Sequence, residues 1–311
     1  MTRGDQALLR RSFGWDDATV EQRCELDDTT GRVASLSLKN TEPTPAQLRG
    51  LGRLSGLRTL MLDRCYALAD LEPLTTLLRL QHLNLDMRHT LNFGGTIRSL
   101  APLGGLTSLR RLDLGSQFSL ETLDGIEGLA ALEQLDLRDC RALRSIEPIQ
   151  GLRGLRTLRL GGCRVLANID AIAKLPALEE LDLTGLGELE FGSALAGHPA
   201  LRKIDLRGCG TLRSIEGLAD GERLEQVVLH GCSSLNGVEA LARHRDLREL
   251  DLENCHGVHS IDHLAGHDQL TLLITAYSGV TQVPPALTAA AAQGQATVDQ
   301  RDAAMDHYFG D

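Results

Sequence analysis

Leucine recurs at a fixed interval through most of this chain. Ten leucines each open a repeat with the pattern LxxLxLxxCxxLxxIxxLxxLxx. Eight of the nine steps between successive repeats are 23 residues long, and the step from the second to the third is 29. A fixed period of roughly 20–50 residues indicates a solenoid, in which each repeat is one coil stacked on its neighbours. The opening residues are Leu57, Leu80, Leu109, Leu132, Leu155, Leu178, Leu201, Leu224, Leu247 and Leu270.

Each repeat predicts a short strand followed by a helical turn. Apolar residues at the fourth and sixth positions predict a strand that points them inward and the third, fifth and seventh residues outward. The fourteenth position mostly carries residue types that cap helices, and acids often follow two positions later, where they favour a first helical turn. The seventh repeat departs from this pattern at Phe191 and Gly192, where we expect a local irregularity. The other fourteenth-position residues are Asp70, Ser99, Thr122, Ser145, Asn168, Ser214, Gly237 and Ser260.

The repeat resembles the leucine-rich-repeat family. Two stretches that carry the resemblance are LEQLDLRDCRALRSIEPIQGL from Leu132 and LRKIDLRGCGTLRSIEGL from Leu201. The second half of the repeat is most similar to the bacterial-type internalin and phosphatase-regulator branches, although this chain has one more residue per repeat and Cys where they have Asn at the ninth position. The resemblance implies an α/β fold: a horseshoe-shaped solenoid with a concave parallel β-sheet and short helical turns on its convex side. It implies no chemistry.

The regular array needs a cap at each end, because an end coil would otherwise expose its core. We expect an N-terminal cap over residues 1–32, a solenoid of about eleven coils over 33–283, and a C-terminal helical cap or tail over 284–311. The stretch Asp5–Trp15 has helical spacing, Gly31–Asn40 predicts a first, degenerate strand, and PALTAAAAQG predicts a final helix.

Composition limits the classes of partner that the protein can bind and the cellular compartment in which we expect it. The net charge is −10 and the isoelectric point about 5.5, which argues against nucleic acid because a phosphate backbone needs a basic stripe. The N-terminal residues have no signal-peptide pattern, and no stretch approaches the roughly 18 apolar residues of a membrane span. We therefore expect a cytoplasmic protein that binds neither nucleic acid nor membrane.

Six of the seven cysteines occupy the ninth position of their repeats. Stacked coils would bring neighbouring thiols side by side, which leaves metal binding or redox pairing open. The alternative is that each thiol is a small buried filler. We favour the filler, because the spacing follows the repeat and no CxxC pair occurs among these six. They are Cys65, Cys140, Cys163, Cys209, Cys232 and Cys255.

The second position alternates between Arg and Glu over seven repeats. Neighbouring strands then place opposite charges side by side, which contributes roughly 0.2–1 kcal/mol a pair and less where the pair is exposed. We interpret this row as a device that sets the strand register and not as a ligand site. Its members are Arg110, Glu133, Arg156, Glu179, Arg202, Glu225 and Arg248.

Charged residues also line the predicted concave face. The fifth position carries Asp in five of the seven repeats from Leu109 to Leu247, and this column has two interpretations. Asp is ordinary at this place in leucine-rich repeats, but a patterned charged face would also orient a protein partner and speed its association. We predict a partner-binding surface formed by Arg111, Asp113, Asp136, Arg138, Arg159, Asp182, Asp205, Arg207, His230 and Asp251.

An insertion interrupts the array between Leu85 and Ile97, where the chain is six residues longer than in the other repeats. Insertions in repeat proteins map to one rim and are often functional, although neutral variation in a surface loop is equally consistent. We expect a mobile rim loop with a hinge at Gly94 and Gly95. Its residues Arg88, His89, Asn92 and Phe93 complete the predicted partner-binding set.

Histidines concentrate in the C-terminal third. His198, His244 and His267 occupy the twenty-first position, which normally holds an inward Leu. His244 and His267 would be neighbours, so a shared metal ion is one interpretation and buried structural histidines are the other, which we favour.

The sequence contains none of the common nucleotide-binding, metalloprotease or serine-hydrolase motifs. We therefore predict a non-enzymatic protein–protein interaction module with no cofactor and no resident metal, whose protein partner the sequence does not identify. Two alternatives stay open. One is a metal-dependent enzyme or metal-binding protein that uses the His-rich C-terminal third, and the other is a bacterial effector directed into host cells.

Overall fold

A computed structural model describes residues 1–88, 94–166, 168–186, 194–293 and 296–299. The chain falls into two compact parts, Met1–Leu155 and Arg156–Asp311, here called the N-terminal half and the C-terminal half. Each half is built from stacked coils, and each is described by itself. The predicted boundaries between caps and solenoid, at 32/33 and 283/284, stay predictions.

Short strands in the N-terminal half pair in the order of the sequence. The first pair is antiparallel and the others are parallel. The inward leucines of successive repeats lie side by side, as Leu60, Leu83, Leu112 and Leu135 show, and the insertion leaves this register unchanged. The strands are β1 (Cys24–Leu26), β2 (Val33–Ser37), β3 (Thr59–Met61), β4 (His82–Asn84), β5 (Arg111–Asp113) and β6 (Gln134–Asp136).

The strands of the C-terminal half also pair in sequence order, and every pairing among its described residues is parallel. The register again aligns equivalent positions, so that Asp182 lies beside Asp205 and Val228 beside Asp251. The strands are β7 (Thr157–Arg159), β8 (Glu180–Asp182), β9 (Lys203–Asp205), β10 (Gln226–Val228), β11 (Glu249–Asp251), β12 (Leu272–Ile274) and β13 (Thr297–Asp299).

The repeat leucines explain where each strand begins and ends. The first, fourth and sixth residues are buried, as in Leu155, Leu158 and Leu160, which are 0% exposed. In nine of the ten repeats, the eighth residue then adopts a positive φ that turns the chain off the sheet, a conformation that favours Gly, Asn and Asp. Our sequence interpretation missed this position, although its composition carries the signal: Arg64, Ser116, Asp139, Gly162, Gly185, Gly208, Gly231, Asn254 and Tyr277.

On the side opposite the strand, eight coils carry a short 3₁₀ turn among the described residues, which confirms the predicted helical turns in those coils. The fourteenth-position side chains stabilise them, because Ser145 accepts a hydrogen bond from the Glu147 amide at 3.2 Å and Asn168 one from the Asp170 amide at 2.6 Å. The irregularity predicted at Phe191 and Gly192 lies outside the described residues. The turns are Leu51–Arg53, Glu72–Leu74, Ala101–Leu103, Glu147–Gly151, Asp170–Lys174, Glu216–Asp220, Glu239–Arg243 and Asp262–Leu264.

The ends of the array carry the α-helices. Thr2 accepts a hydrogen bond from the Asp5 amide at 3.2 Å and begins the first helix, whose predicted existence is confirmed. β1 and β13, which the sequence interpretation missed, cover the outer edges of β2 and β12. Among the described residues, no helix combines the length and the apolar content that a membrane span requires. The helices are α1 (Arg3–Phe13), α2 (Asp17–Arg23), α3 (Pro45–Gly50) and α4 (Pro285–Ala292).

Candidate functional site

In each half, the side chains at the third, fifth and seventh positions of the repeats project from the sheet on the side away from the buried leucines. We call this surface the open sheet face of that half. It carries the partner-binding residues predicted from the fifth-position column and its neighbours, and it is where the two halves can be compared residue by residue.

The carboxylates on the open sheet face of the N-terminal half are paired with cations. Asp113 accepts hydrogen bonds from His82 at 2.8 Å and from Arg111 at 2.9 Å. Burial acts to raise the pKa of Asp113, but the hydrogen bonds from His82 and Arg111 outweigh it, so the pKa is lowered. Asp63 pairs in the same way with Lys39 at 2.9 Å. These groups neutralise one another.

Arg88, at the start of the insertion, ties three strands of this face together. Its guanidinium lies 2.6 Å from Asp86, which follows β4, and 3.3 Å from Asp136 at the end of β6. It crosses β5 at Gly115, where a Cβ would lie only 2.6 Å from the Arg88 Nε. Burial acts to lower the pKa of Arg88, but the hydrogen bond to Asp86 and the charge of Asp136 raise it. Arg88 is therefore held by the sheet.

Two of the predicted partner-binding residues of this half are buried. Asp113 and Asp136 are each 3% exposed. Asp136 is covered by Arg88 and by Arg138, whose Nη2 lies 2.5 Å from its carboxylate. Arg111 and Arg138 remain partly exposed above these carboxylates, with side-chain exposures of 47% and 35%. The structure thus places the two aspartates inside the sheet's own charge network, beneath the arginines.

The fifth-position aspartates also share a backbone role. In several repeats Oδ1 accepts a hydrogen bond from the amide of the seventh residue, at distances of 2.9–3.1 Å. This contact engages Oδ1 and leaves Oδ2 for another partner, which in Asp136 and Asp205 is the guanidinium of the same seventh residue. It gives a structural reason for Asp at this position, which supports the first of the two interpretations of the column. The pairs are Asp136 with Arg138, Asp182 with Thr184, Asp205 with Arg207, and Asp251 with Glu253.

The open sheet face of the C-terminal half has a different balance of charge. Its repeats from Leu155 to Leu247 place six carboxylates but only three Lys or Arg residues at the third, fifth and seventh positions. The carboxylates are Glu180, Asp182, Asp205, Glu249, Asp251 and Glu253, and the cations are Arg159, Lys203 and Arg207.

The cations of this face pair with some of the acids and leave others without a cation. Arg207 donates two hydrogen bonds through Nε and one through Nη2 to Asp205, and Arg159 lies 3.3 Å from Glu180. Within the described part of the half, no Lys or Arg nitrogen lies within 4.0 Å of a carboxylate oxygen of Asp182, Glu249 or Asp251. Asp182 and Asp251 are also less buried than the fifth-position aspartates Asp113 and Asp136 of the N-terminal half.

His230 lies in this acidic part of the face. Its Nδ1 is 3.3 Å from Glu253 on the next coil, and Asp251 lies beside them, with one ligand atom from each residue within 4.8 Å of the others. The sequence interpretation named His230 and Asp251 but missed Glu253. The repeat register contains the signal, since His230 and Glu253 both occupy the seventh position of adjacent repeats.

The two ends of the insertion are fixed to the following repeat. The side chain of Gln117 donates to the Leu85 carbonyl at 2.6 Å, and the Gly95 amide donates to the Ser116 carbonyl at 2.8 Å. A Cβ at Gly94 would overlap the Phe118 ring, and one at Gly95 would overlap the Gln117 side chain. Close packing is therefore the physical reason for this glycine pair. The predicted site residues His89, Asn92 and Phe93 lie outside the described residues.

The histidines at the twenty-first position are buried and hydrogen-bonded between coils. Nε2 of His244 lies 2.9 Å from the Leu218 carbonyl, and Nε2 of His267 lies 3.1 Å from that of Leu241. Nδ1 of His244 also accepts the Leu224 amide. Burial lowers the pKa of both histidines, so the neutral ring is favoured. Structural histidines, the interpretation we favoured, account for these contacts.

The ninth-position cysteines are buried thiols, as we predicted for a filler. Several donate to the carbonyl of the sixth residue in the preceding coil at 3.0–3.3 Å, as Cys140 does to Leu114. Burial raises the pKa of Cys65 to about 11 and those of Cys209 and Cys255 to about 12. A thiol that is protonated and buried is a poor nucleophile and a poor metal ligand.

The second-position charges form separate pairs. Arg156 lies 2.7 Å from Glu179, Arg202 lies 2.5 Å from Glu225, and Arg110 contacts Glu133. In each pair the Arg is more than half exposed. The pairs support the predicted role in register, and their exposure to solvent keeps the contribution of each pair to stability small.

Comparison with known proteins supports the fold. No protein-family profile matches the chain, and no curated protein matches it in sequence. Among solved structures, an internalin (InlF) from Listeria monocytogenes is 20% identical with a TM-score of 0.62, covering 81% of this chain and 69% of that one. The leucine-rich-repeat domain of the type III effector XopL is 20% identical with a TM-score of 0.55, covering 98% and 92%.

An internalin C2 from Listeria monocytogenes is 25% identical with a TM-score of 0.52, covering 64% of this chain and 83% of that one. These proteins share the stacking of short parallel strands, while the identities are low enough that the likeness concerns the fold. Together with ten in-phase repeats, it establishes that the chain has the leucine-rich-repeat solenoid fold.

Proposed function

We propose that this chain is a non-enzymatic protein-binding module whose partner docks on the open sheet face of the C-terminal half. A solenoid presents an extended surface laid down one strand at a time, which suits a protein partner better than a small molecule. The predicted residues that form this surface are Arg159, Asp182, Asp205, Arg207, His230 and Asp251, and we add Glu249 and Glu253.

The carboxylates without a cation carry the proposal. Asp182, Glu249 and Asp251 lie on this face with no Lys or Arg nitrogen within 4.0 Å among the described residues. A partner segment rich in Lys or Arg would supply the missing charges. Complementary charge of this kind increases the association rate and fixes the orientation of a partner more than it adds affinity.

The N-terminal half contributes support to this module in our proposal. Its carboxylates are already neutralised by Arg88, Arg111 and Arg138, and its buried aspartates can reach a partner only if these arginines move. The insertion stays a candidate second contact, since His89, Asn92 and Phe93 lie outside the described residues. The cytoplasmic compartment likewise stays a prediction.

A pair of charge-matched variants tests the docking face. In the face variant, Asp182→Lys is combined with Glu249→Lys. In the control, Glu216→Lys is combined with Glu239→Lys, which changes the net charge equally on the helical-turn side, where both residues are exposed. Each protein is used to capture partners from lysate of the native cell, and the captured partner is then purified for affinity measurement.

We expect the face variant to lose at least tenfold in affinity while the control keeps it, and the affinity of the unchanged protein to fall as salt is raised. All three proteins should give the same circular dichroism spectrum. Equal affinity of the face variant and the unchanged protein would place the docking site elsewhere.

A further inference from the structure

We propose that His230, Asp251 and Glu253 form a binding site for a divalent transition-metal ion such as Zn²⁺, on the open sheet face of the C-terminal half. The inference goes beyond protein binding and does not depend on it. It concerns a group distinct from the buried histidines His244 and His267, whose Nε2 atoms are used in hydrogen bonds between coils.

The distances suit such an ion. Nδ1 of His230 and Oε2 of Glu253 are 3.3 Å apart, and one ligand atom from each of the three residues lies within 4.8 Å of the other two. Zinc bonds of about 2.0–2.2 Å in tetrahedral geometry place neighbouring ligand atoms about 3.4 Å apart. Small rotations of half-exposed side chains bring the third ligand to that spacing.

The repeat holds the backbones of the three residues in place. The Leu229 amide donates to the Asp251 carbonyl at 2.8 Å, and the Gly231 amide donates to the Glu253 carbonyl at 2.7 Å. These bonds continue the pairing of β10 with β11 beyond Val228, so the seventh residues of the two repeats stay side by side.

The Asp251 carboxylate is also oriented before a ligand arrives. Its Oδ1 accepts a hydrogen bond from the Glu253 amide at 2.9 Å. The other oxygen is available for a metal ion, and the hydrogen bond serves as the supporting contact that fixes the orientation of a ligating carboxylate.

The electrostatics of the face favour a cation at this point. Within the described part of the chain, no Lys or Arg nitrogen lies within 4.0 Å of the carboxylate oxygens of Asp251 or Glu253. The nearby Arg207 is held by Asp205 through both Nε and Nη2. A divalent ion would balance the two carboxylates that the protein itself leaves unbalanced.

The donor set selects the class of ion. One imidazole nitrogen with two carboxylates suits Zn²⁺ and its first-row neighbours, whereas Ca²⁺ and Mg²⁺ prefer sites made only of oxygen. Three protein ligands leave at least one coordination position for water or for a side chain of a partner. The site could thus take part in docking, but it binds metal without a partner.

Calorimetric titration with Zn²⁺ tests the proposal on the full chain, freed of any affinity tag and treated with chelator. We expect one ion per chain with micromolar affinity. His230→Ala and Glu253→Gln should each weaken binding at least tenfold. Two matched controls should bind as the unchanged protein does: His256→Ala, an exposed histidine of the next repeat, and Glu239→Gln, an exposed acid on the helical-turn side.

Titration with Co²⁺ distinguishes this site from the cysteines, because thiolate ligands add intense near-ultraviolet absorption and the proposed nitrogen and oxygen ligands do not. We expect visible bands without the thiolate absorption. The proposal is overturned if Zn²⁺ binds no more tightly than about 1 mM, if His230→Ala binds with unchanged affinity, or if the Co²⁺ spectrum shows thiolate ligands.

Discussion

The two halves use the same repeat but treat the same column of aspartates differently. In the N-terminal half, Asp113 and Asp136 are buried. His82 and Arg111 bind Asp113, and Arg88 and Arg138 bind Asp136. In the C-terminal half, Asp182 and Asp251 are half-buried and have no cation within 4.0 Å among the described residues. The fifth position alone therefore does not decide whether a carboxylate serves the fold or faces a partner.

The residues at the third and seventh positions make the difference. Seventh-position Arg138 and the insertion residue Arg88 cover Asp136 in the N-terminal half. In the C-terminal half the seventh positions beside Asp182 and Asp251 hold Thr184 and Glu253, which supply no positive charge. The residues on the neighbouring strands therefore determine whether a given carboxylate is paired within the sheet or left for a partner.

The largest effect should come from removing the same carboxylate in each half. Asp136→Ala removes the buried carboxylate that Arg88 and Arg138 share, so that Arg88 keeps only Asp86, and it removes the acceptor of the Arg138 amide. We therefore expect a loss of about 2–3 kcal/mol in the free energy of unfolding. Asp251→Ala, the matched change on the exposed face, should cost about 1 kcal/mol or less. Urea denaturation of both variants measures the difference, and equal losses would remove the distinction between the faces.

The next largest difference between the halves should be in how their stability depends on acidic pH. The pKa of His244 and of His267 is lowered by burial, so below about pH 6.5 the unfolded chain takes up protons that the folded chain does not. Stability of the C-terminal half should therefore fall as the pH drops from about 6.5 toward the folded-state pKa values. The lowered pKa of Asp113 affects stability only at lower pH. Its contribution to the free energy of unfolding is present above about pH 3.9 and is lost as the pH falls through the pKa of Asp113 in the folded protein.

Hydrogen exchange followed by mass spectrometry reads the two halves separately. Between pH 6.5 and 5, after correction for the intrinsic exchange rate, protection should decrease around His244 and His267 and stay constant around Asp113. His244→Leu restores the residue type usual at this position and should reduce the loss. Loss of protection in both halves at the same pH would show that these histidines do not control it.

A smaller effect on stability should follow from adding a methyl group at a seventh-position glycine on the open sheet face of each half. Gly115→Ala would place a Cβ 2.6 Å from the Arg88 Nε and 2.7 Å from Asp86, so we expect the arginine to be displaced and stability to fall by about 1–2 kcal/mol. Gly161→Ala meets Asp182 at 3.0 Å, and that carboxylate has room to move, so its cost should be less. Thermal melting of the two variants makes the comparison, and a larger loss for Gly161→Ala would contradict it.

Much of this fold could be predicted from the sequence, because the leucine period fixes the strand, its register and the buried face together. The local chemistry of the open sheet face could not be predicted in the same way. The contact between Arg88 and Asp136 spans 48 residues and needs the insertion and the gap at Gly115. The cluster of His230, Asp251 and Glu253 was also missed, because Glu253 joins it only when the seventh positions of two adjacent repeats are placed side by side.

The thiols should show the smallest difference between the halves, because both bury them in the same way. We expect seven free thiols in denatured protein. In the native protein the six ninth-position thiols should react slowly with a thiol reagent, since burial keeps them protonated and covered. Cys24, in β1, is less buried and serves as the internal reference. Mass spectrometry of the labelled peptides would give the rate at each cysteine, and fast labelling at Cys140 or Cys232 would show that the buried column opens more readily than its hydrogen bonds to the preceding coil imply.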